Sequence, residues 1–190
     1  MEILKLVNDS AYVHSKQVAR ISGLLATNMG YSASEVSDIT QAAELHDIGK
    51  ADIPLEILNK PGALSQDEYE LVKTHALSGS RQIENVIATL SIAALVAKEH
   101  HEWVDGCSAY LGLTGDAIHP YSKLIAIADV FDALYSKRVY KASLDISDVC
   151  GYIKEQSGRM FDAGIVALLI SLLPLVLRLY DDGGKRKEAV

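Results

Sequence analysis

Histidines recur along this chain at an interval that constrains how it can fold. His14, His46, His75 and the doublet His100–His101 are spaced 25 to 32 residues apart. That is about one helix plus a connection. A helical chain so spaced can bring an imidazole from each successive helix to one shared point. A carboxylate, Asp129, follows 28 residues after His101, inside the apolar stretch AIADVFDAL. The sixth histidine, His119, stands beside Pro120 in a loop-like stretch and is not expected to join the set.

The sequence around these positions is helical nearly throughout. AYVHSKQVARISGLLATNMG places Val13, Val18, Ile21, Leu24 and Leu25 close to helical spacing and ends at Gly30. SASE at 32–35 and SQDE at 65–68 read as capping boxes, in which a Ser hydroxyl and a Glu carboxylate satisfy free N–H groups at a helix start. The first opens a helix that runs through Leu45 to the motif ELHDIGK; the second opens one through Tyr69, Val72 and His75. Pro54 and Pro61–Gly62 break the stretch between them. Further helices are predicted over 86–101, 120–136, 145–157 and 162–180, with 102–119 as the longest loop. Strand-like alternation is absent. The expectation is an all-α, single compact bundle of about six or seven helices over residues 1–180, followed by a tail at 181–190.

Bulk properties narrow the function classes. A net charge of −7 and the lack of a basic run argue against binding of long nucleic acid. A small phosphate ligand stays compatible, because metals and a few Lys or Arg can supply local positive charge. Cys107 and Cys150 form no CxxC, so a disulfide framework is not expected. The N-terminus lacks the pattern of a signal peptide, and a cytoplasmic protein is the default. Ala163 to Leu177 is uncharged, but at fifteen residues it falls short of the ~20 that a spanning helix needs. Pro174 also interrupts it. A buried terminal helix or a homodimer interface is expected there, with membrane contact as the lesser alternative.

Taken singly, each histidine reads as a core residue with one hydrogen bond, and Asp129 as a cap or ion-pair partner. Together they resist that reading. Adjacent helix residues point about 100° apart, so His100 and His101 cannot both fill one narrow core stripe. Burying Asp47 and Asp129 uncompensated is costly, and metal coordination removes that cost. Four or more imidazoles with two carboxylates exceed what one tetrahedral ion needs. They suit two ions sharing a bridging carboxylate.

The ordered set His14, His46–Asp47, His75, His100–His101, Asp129 resembles the HD superfamily of metal-dependent phosphohydrolases. It is most similar to the HD-GYP subfamily of cyclic di-GMP phosphodiesterases. The likeness covers roughly residues 10 to 170. It is carried by HDIGKADIPLEILNKPGALSQDEYELVKTHALSGSRQI, KEHHEWVDG, GLTGDAIHPYSKLIAIADVFDALYSKRVYK and SGRMFDAGIV. Where the subfamily usually has Gly-Tyr-Pro, this chain has Ser108-Ala109-Tyr110 between intact flanks. Ser10 stands where three-metal members carry a Glu one turn before the first His, so two ions are expected.

The resemblance implies a first ion on His14, His46, Asp47 and Asp129, and a second on His75, His100, His101 and the bridging Asp47. It implies iron or manganese; the sequence leaves zinc and nickel open. A hydroxide held between the ions would then attack phosphorus. Asp47 and Lys50 are the expected catalytic residues, with Lys50 on a phosphate oxygen. Arg138, Lys141, Tyr110 and Trp103 are further candidates for substrate contacts, the last two by stacking on a base. Asp132 is expected behind the ligands. The implied activity is hydrolysis of a cyclic dinucleotide. Hydrolysis of another nucleotide or phosphoester is the alternative, as is a non-catalytic module that binds a nucleotide or a protein such as a diguanylate cyclase.

Overall fold

The computed structural model describes residues 9–86, 91–108, 110–136 and 144–182. These residues form helices and connections with no strand; a single isolated bridge joins Ser157 and Phe161. The chain opens with α1 (Asp9–Asn28) and α2 (Ala33–Leu45), then a 3₁₀ turn (Ile48–Asp52) and the one-turn α3 (Leu55–Leu58). Next come α4 (Gln66–Lys73), α5 (His75–Val86) and α6 (Ser91–Glu99). A 3₁₀ turn at Gly115–Ala117 precedes α7 (Pro120–Tyr135), and α8 (Ile146–Glu155), α9 (Ala163–Ser171) and α10 (Leu173–Asp182) complete the bundle.

Both capping boxes form as read. Ser32 and Ser65 accept from the backbone N–H three residues on, and Glu35 and Glu68 accept from the Ser backbone in return. The all-α class is borne out, with more breaks than the sequence suggested. The helix expected through His75 stops at Lys73 and restarts after Thr74. The terminal helix splits at Leu172 with a 62° bend. Pro174 explains the split: it has no N–H to offer the carbonyl of Ile170, four residues earlier. No single described helix is long and apolar enough to cross a membrane. Ile165, Val166, Leu169 and Val176 from this segment are buried in the core, as the terminal-helix reading expected.

α7 is the central element. Leu124, Ile125, Ile127, Ala128 and Phe131 are all buried, and Asp129 and Asp132 are buried beside them. A helix apolar on nearly every side belongs inside the bundle. α1 packs against both α2 and α7, and α2 packs against α6. α2 and α6 both bury alanines, Ala42 and Ala43 on one and Ala93, Ala94 and Ala97 on the other. Small side chains let helix axes approach closely.

The connection after α2 is pressed against α5 at one glycine. A Cβ on Gly49 would lie 2.0 Å from the His75 carbonyl oxygen and 2.5 Å from the Gly79 nitrogen. Only hydrogen fits there. Gly49→Ala is therefore expected to destabilise by about 1–3 kcal/mol through overpacking. For a chain of this size that lowers Tm by roughly 2–12 °C. Gly151 is the opposite case: it sits within α8 and nothing would meet its Cβ within 4 Å. Gly151→Ala should stabilise by about 0.5–1 kcal/mol. Thermal denaturation of both variants checks the pair; a neutral Gly49→Ala would mean the contact is not tight.

Candidate metal centre

The histidines reach their places by a repeated local device. The last carbonyls of a helix have no intrahelical donor. His46 follows α2 and its Nδ1–H donates to the Ala43 carbonyl at 2.7 Å. His75 follows α4 and donates to the Val72 carbonyl at 2.6 Å. His100 follows α6 and donates to the Ala97 carbonyl at 2.9 Å. Each bond spans three residues. A carbonyl only accepts, so Nδ1 must carry the proton in all three rings. In the neutral imidazole, Nε2 is then a bare lone pair.

Those lone pairs converge on Asp47, which is 1% exposed. His75 Nε2 lies 3.3 Å and His100 Nε2 3.9 Å from Asp47 Oδ1. His46 Nε2 lies 3.3 Å from Oδ2. The carboxylate thus turns one oxygen to each side. His46 Nε2, Asp47 Oδ1 and His100 Nε2 are buried with no hydrogen-bond partner. Lone pairs facing a carboxylate in a buried site repel unless a cation stands between them. The donor set therefore fits metal ions, and two groups of ligand atoms satisfy the geometry: Asp47, His75, His100 and His101, and His14, His46 and Asp129, the atoms in each group lying within 4.8 Å of one another.

The electrostatics agree. Burial opposes ionisation of Asp47, but the Lys50 ammonium and the His46 and His75 imidazoles outweigh it and hold its pKa well below the usual range. Burial likewise opposes Asp129, and the hydrogen bond with His14 carries its pKa far down. Burial, then the neighbouring imidazoles His101, His46 and His75, push His100 well below its ordinary value. His101 falls to about 3, with burial as the main cause. Ionised carboxylates and neutral imidazoles are the forms that bind metal. His14 differs. Burial would lower its pKa, yet its bonds to Asp129 and Asp132 raise it to about 9.

His14 lies on α1 between two carboxylates of α7. Its Nε2 is 2.8 Å from Asp129 Oδ1, and its Nδ1–H donates to Asp132 Oδ2 at 2.6 Å. Asp132 thus lies behind the His14 ring, and its bond sets that ring's tautomer. Lys50, on the 3₁₀ turn after His46–Asp47, pairs directly with Asp47 Oδ2. His101 faces the His75 ring, Nε2 to Nε2 at 3.2 Å. His119 stands apart from both groups: it caps α7, its Nδ1 accepting from the Tyr121 N–H.

The substrate candidates are more dispersed. Tyr110 stacks on His101 with ring centroids 4.7 Å apart, and the Lys73 ammonium lies 5.6 Å over the same ring. Trp103 faces the Arg159 guanidinium at 5.2 Å. Arg138 and Lys141 lie outside the described residues, as does Ala109. Two acids that the sequence reading passed over organise the 102–119 loop. Glu102, 3% exposed, accepts from Ser108 Oγ and from the Leu111 and Leu113 N–H groups. Glu99, 5% exposed, accepts from the His119 N–H and Ser122 Oγ. The signal was present: two Glu flank the His doublet in KEHHEW. It did not say whether they bind metal or backbone.

Known proteins place this geometry in a lineage. A family model described as HD domain matches residues 1–165. The cyclic di-GMP phosphodiesterase response regulator RpfG of Xanthomonas campestris is 39% identical over 161 residues, 82% of this chain and 41% of its own length. The 3'3'-cGAMP-specific phosphodiesterase 3 of Vibrio cholerae is 34% identical over 164 residues, 85% of this chain and 35% of its own. The chain thus spans less than half the length of these relatives. Among solved structures, the HDG"Y"P protein Bd1817 of Bdellovibrio bacteriovorus superposes with a TM-score of 0.71 at 18% identity, covering 86% of this chain and 52% of that one. With a family match over most of its length and the two His/Asp groups in place, this chain belongs to the HD domain family.

Proposed function

We propose that this chain is a metal-dependent phosphodiesterase that opens a cyclic dinucleotide, holding two divalent ions on His14, His46 and Asp129 and on His75, His100 and His101, with Asp47 between them. The observation that carries the reading is Asp47, whose two oxygens face different imidazole groups whose Nε2 atoms point inward. Mixed imidazole and carboxylate ligands suit iron or manganese. When bound, such a pair supplies an activated water and neutralises charge on the phosphoryl oxygens.

The chain's own residues complete the chemistry. Lys50 is 23% exposed at its side chain and sits against Asp47, so it can turn its ammonium to a non-bridging phosphate oxygen at the mouth of the site. Asp132 holds His14 in the tautomer that leaves Nε2 inward. Tyr110 covers His101 and limits water access to that side. These residues act on the phosphodiester, which all cyclic dinucleotides share. The relatives' names divide between cyclic di-GMP and 3'3'-cGAMP, so substrate choice is a separate matter and falls to the 105–113 loop. There Ser108 replaces a Gly that could adopt positive φ at low cost. Tyr110 stands where a Pro would fix φ. The exposed Leu175 of α10 supports self-association through that helix. A cyclase-type partner and a cytoplasmic location accord with a diffusible nucleotide substrate.

Metal binding is tested by stability. Mn²⁺ at about 100 times Kd should stabilise the metal-stripped protein by about 2.7 kcal/mol per site, a Tm rise of roughly 5–11 °C. Asp47→Ala should abolish most of that rise and the hydrolysis with it. His119→Ala should keep both, while losing about 1 kcal/mol of stability as a helix cap. A metal-induced rise that survives Asp47→Ala would sink the bridging role.

Specificity is tested by substrate comparison. Hydrolysis of bis-p-nitrophenyl phosphate should be measurable with Mn²⁺ or Fe²⁺, and cyclic di-GMP turnover weak. Replacing residues 108–110 by Gly-Tyr-Pro should change cyclic di-GMP kinetics severalfold more than the generic reaction. Equal, efficient cyclic di-GMP hydrolysis before and after the exchange would remove specificity from this loop.

A further inference from the structure

His14 is the one imidazole of the site whose Nδ1–H meets a carboxylate; those of His46, His75 and His100 meet backbone carbonyls. Its orientation therefore depends on what fixes Asp132. The two Asp132 oxygens divide their work. Oδ2 takes the His14 Nδ1–H at 2.6 Å. Oδ1 takes the Ser136 hydroxyl at 2.7 Å and the Tyr180 phenol at 2.8 Å. Ser136 is one turn further along α7, so its bond is local. Tyr180 is 48 residues away on α10. Asp132 is 1% exposed, so no bulk water replaces a lost donor.

α10 has anchors that do not involve that hydroxyl. Arg20 of α1 donates to the Leu179 carbonyl at 2.5 Å. The Tyr180 ring packs edge-on to Tyr135 at 4.8 Å and lies 6.4 Å from Phe131. Val176 is fully buried. The phenol oxygen can thus be removed while the helix stays docked. A chain of buried polar contacts then runs from α10 to Asp132 to His14, and it touches one metal group only. Among the described residues, the His75 and His100 Nδ1 atoms of the other group meet backbone carbonyls and no carboxylate. Hydrogen-bond partners behind metal ligands set ring orientation and basicity.

We propose that Tyr180 is a positioning residue for the His14, His46 and Asp129 group, through which docking of the C-terminal helix sets metal affinity at that group and not at its neighbour. The inference rests on the two-group metal reading above. It makes α10 more than a cover for the core: anything that displaces the helix end loosens the first ion and leaves the second in place.

Calorimetric titration of Mn²⁺ into metal-stripped protein tests this. The wild type should show two classes of site. Tyr180→Phe keeps the ring and should weaken one class by about 3- to 10-fold, less than the 10–100-fold typical of losing a group bonded directly to a ligand. Asp132→Asn should reach that larger range in the same class. His14→Ala should delete that class, and Tyr180→Phe added to it should change nothing further. Should Tyr180→Phe fail to fold, Ser136→Ala removes the other donor to the same oxygen and should weaken the same class. Equal weakening of both classes, or no change in either, would show a packing role alone and overturn the proposal. So would a Tyr180→Phe effect that persists in His14→Ala. A wild type that binds no Mn²⁺ would overturn the metal reading along with it, whereas two intact classes in every Tyr180 and Ser136 variant would overturn this inference only.

Discussion

The buried carboxylate of Asp47 is the constraint around which the rest is arranged. Removing an ionised acid from water costs several kcal/mol unless something compensates. Here the Lys50 ammonium on the 3₁₀ turn supplies part of that compensation, and the inward Nε2 atoms of His46, before it in sequence, and His75, at the start of α5, are placed for a cation to supply the rest. Each belongs to a different local structure, so the carboxylate is satisfied only when those structures are assembled. Gly49 allows the assembly, since its missing Cβ is what lets the turn lie against the His75 carbonyl and Gly79. The close approach and the electrostatics are the same feature seen twice. Without the glycine the turn stands off, and Asp47 loses His75.

The second regularity is that helix ends, not helix faces, hold three of the imidazoles. The final carbonyls of α2, α4 and α6 take the Nδ1 protons of His46, His75 and His100. The partial negative charge of a helix C-terminus also favours a cation nearby. Three such ends meet at the site, so the backbone itself adds a potential that favours a cation there. At the interruption at Thr74 the Val72 carbonyl accepts the His75 Nδ1–H in addition to the capping Thr74 N–H.

Much of this was legible in the sequence, for a physical reason. Side chains brought to one point from successive helices leave a linear trace, and His14, His46–Asp47, His75, His100–His101 and Asp129 appear in chain order at helix-sized intervals. Capping boxes are local, so SASE and SQDE could be read directly. What the sequence hid depends on partners distant along the chain. Tyr180 reads as the polar end of an apolar helix until α10 folds onto α7. Glu99 and Glu102 are as acidic and as close to the His doublet as a ligand would be. Only the path of the loop shows that they hold backbone and hydroxyl groups. The tautomers were illegible too, because they follow from where a helix ends to within a residue.

The 102–119 loop is held by different physics from the His/Asp groups. Among the described residues of 102–119 there is one short 3₁₀ turn and no other regular element. Its frame comes from Glu102, which ties Ser108, Leu111 and Leu113 together. The backbone bonds from Gly115 N–H to Val104 and from Asp105 N–H to Arg159 add to it. Gly106 takes φ of 78°, and a Cβ there would meet Thr114 at 2.2 Å, so the turn closes only with glycine. Glu102, Gly106 and Thr114 lie outside the positions where this chain departs from the Gly-Tyr-Pro pattern. Varying 108–110 removes the Ser108 bond but leaves the Leu111 and Leu113 N–H bonds to Glu102, so most of the frame can persist while the ring that Tyr110 lays on His101 changes. Under the proposed function, a His/Asp floor beneath a loop framed by its own buried acid would let one fold keep its chemistry while its choice of nucleotide drifts.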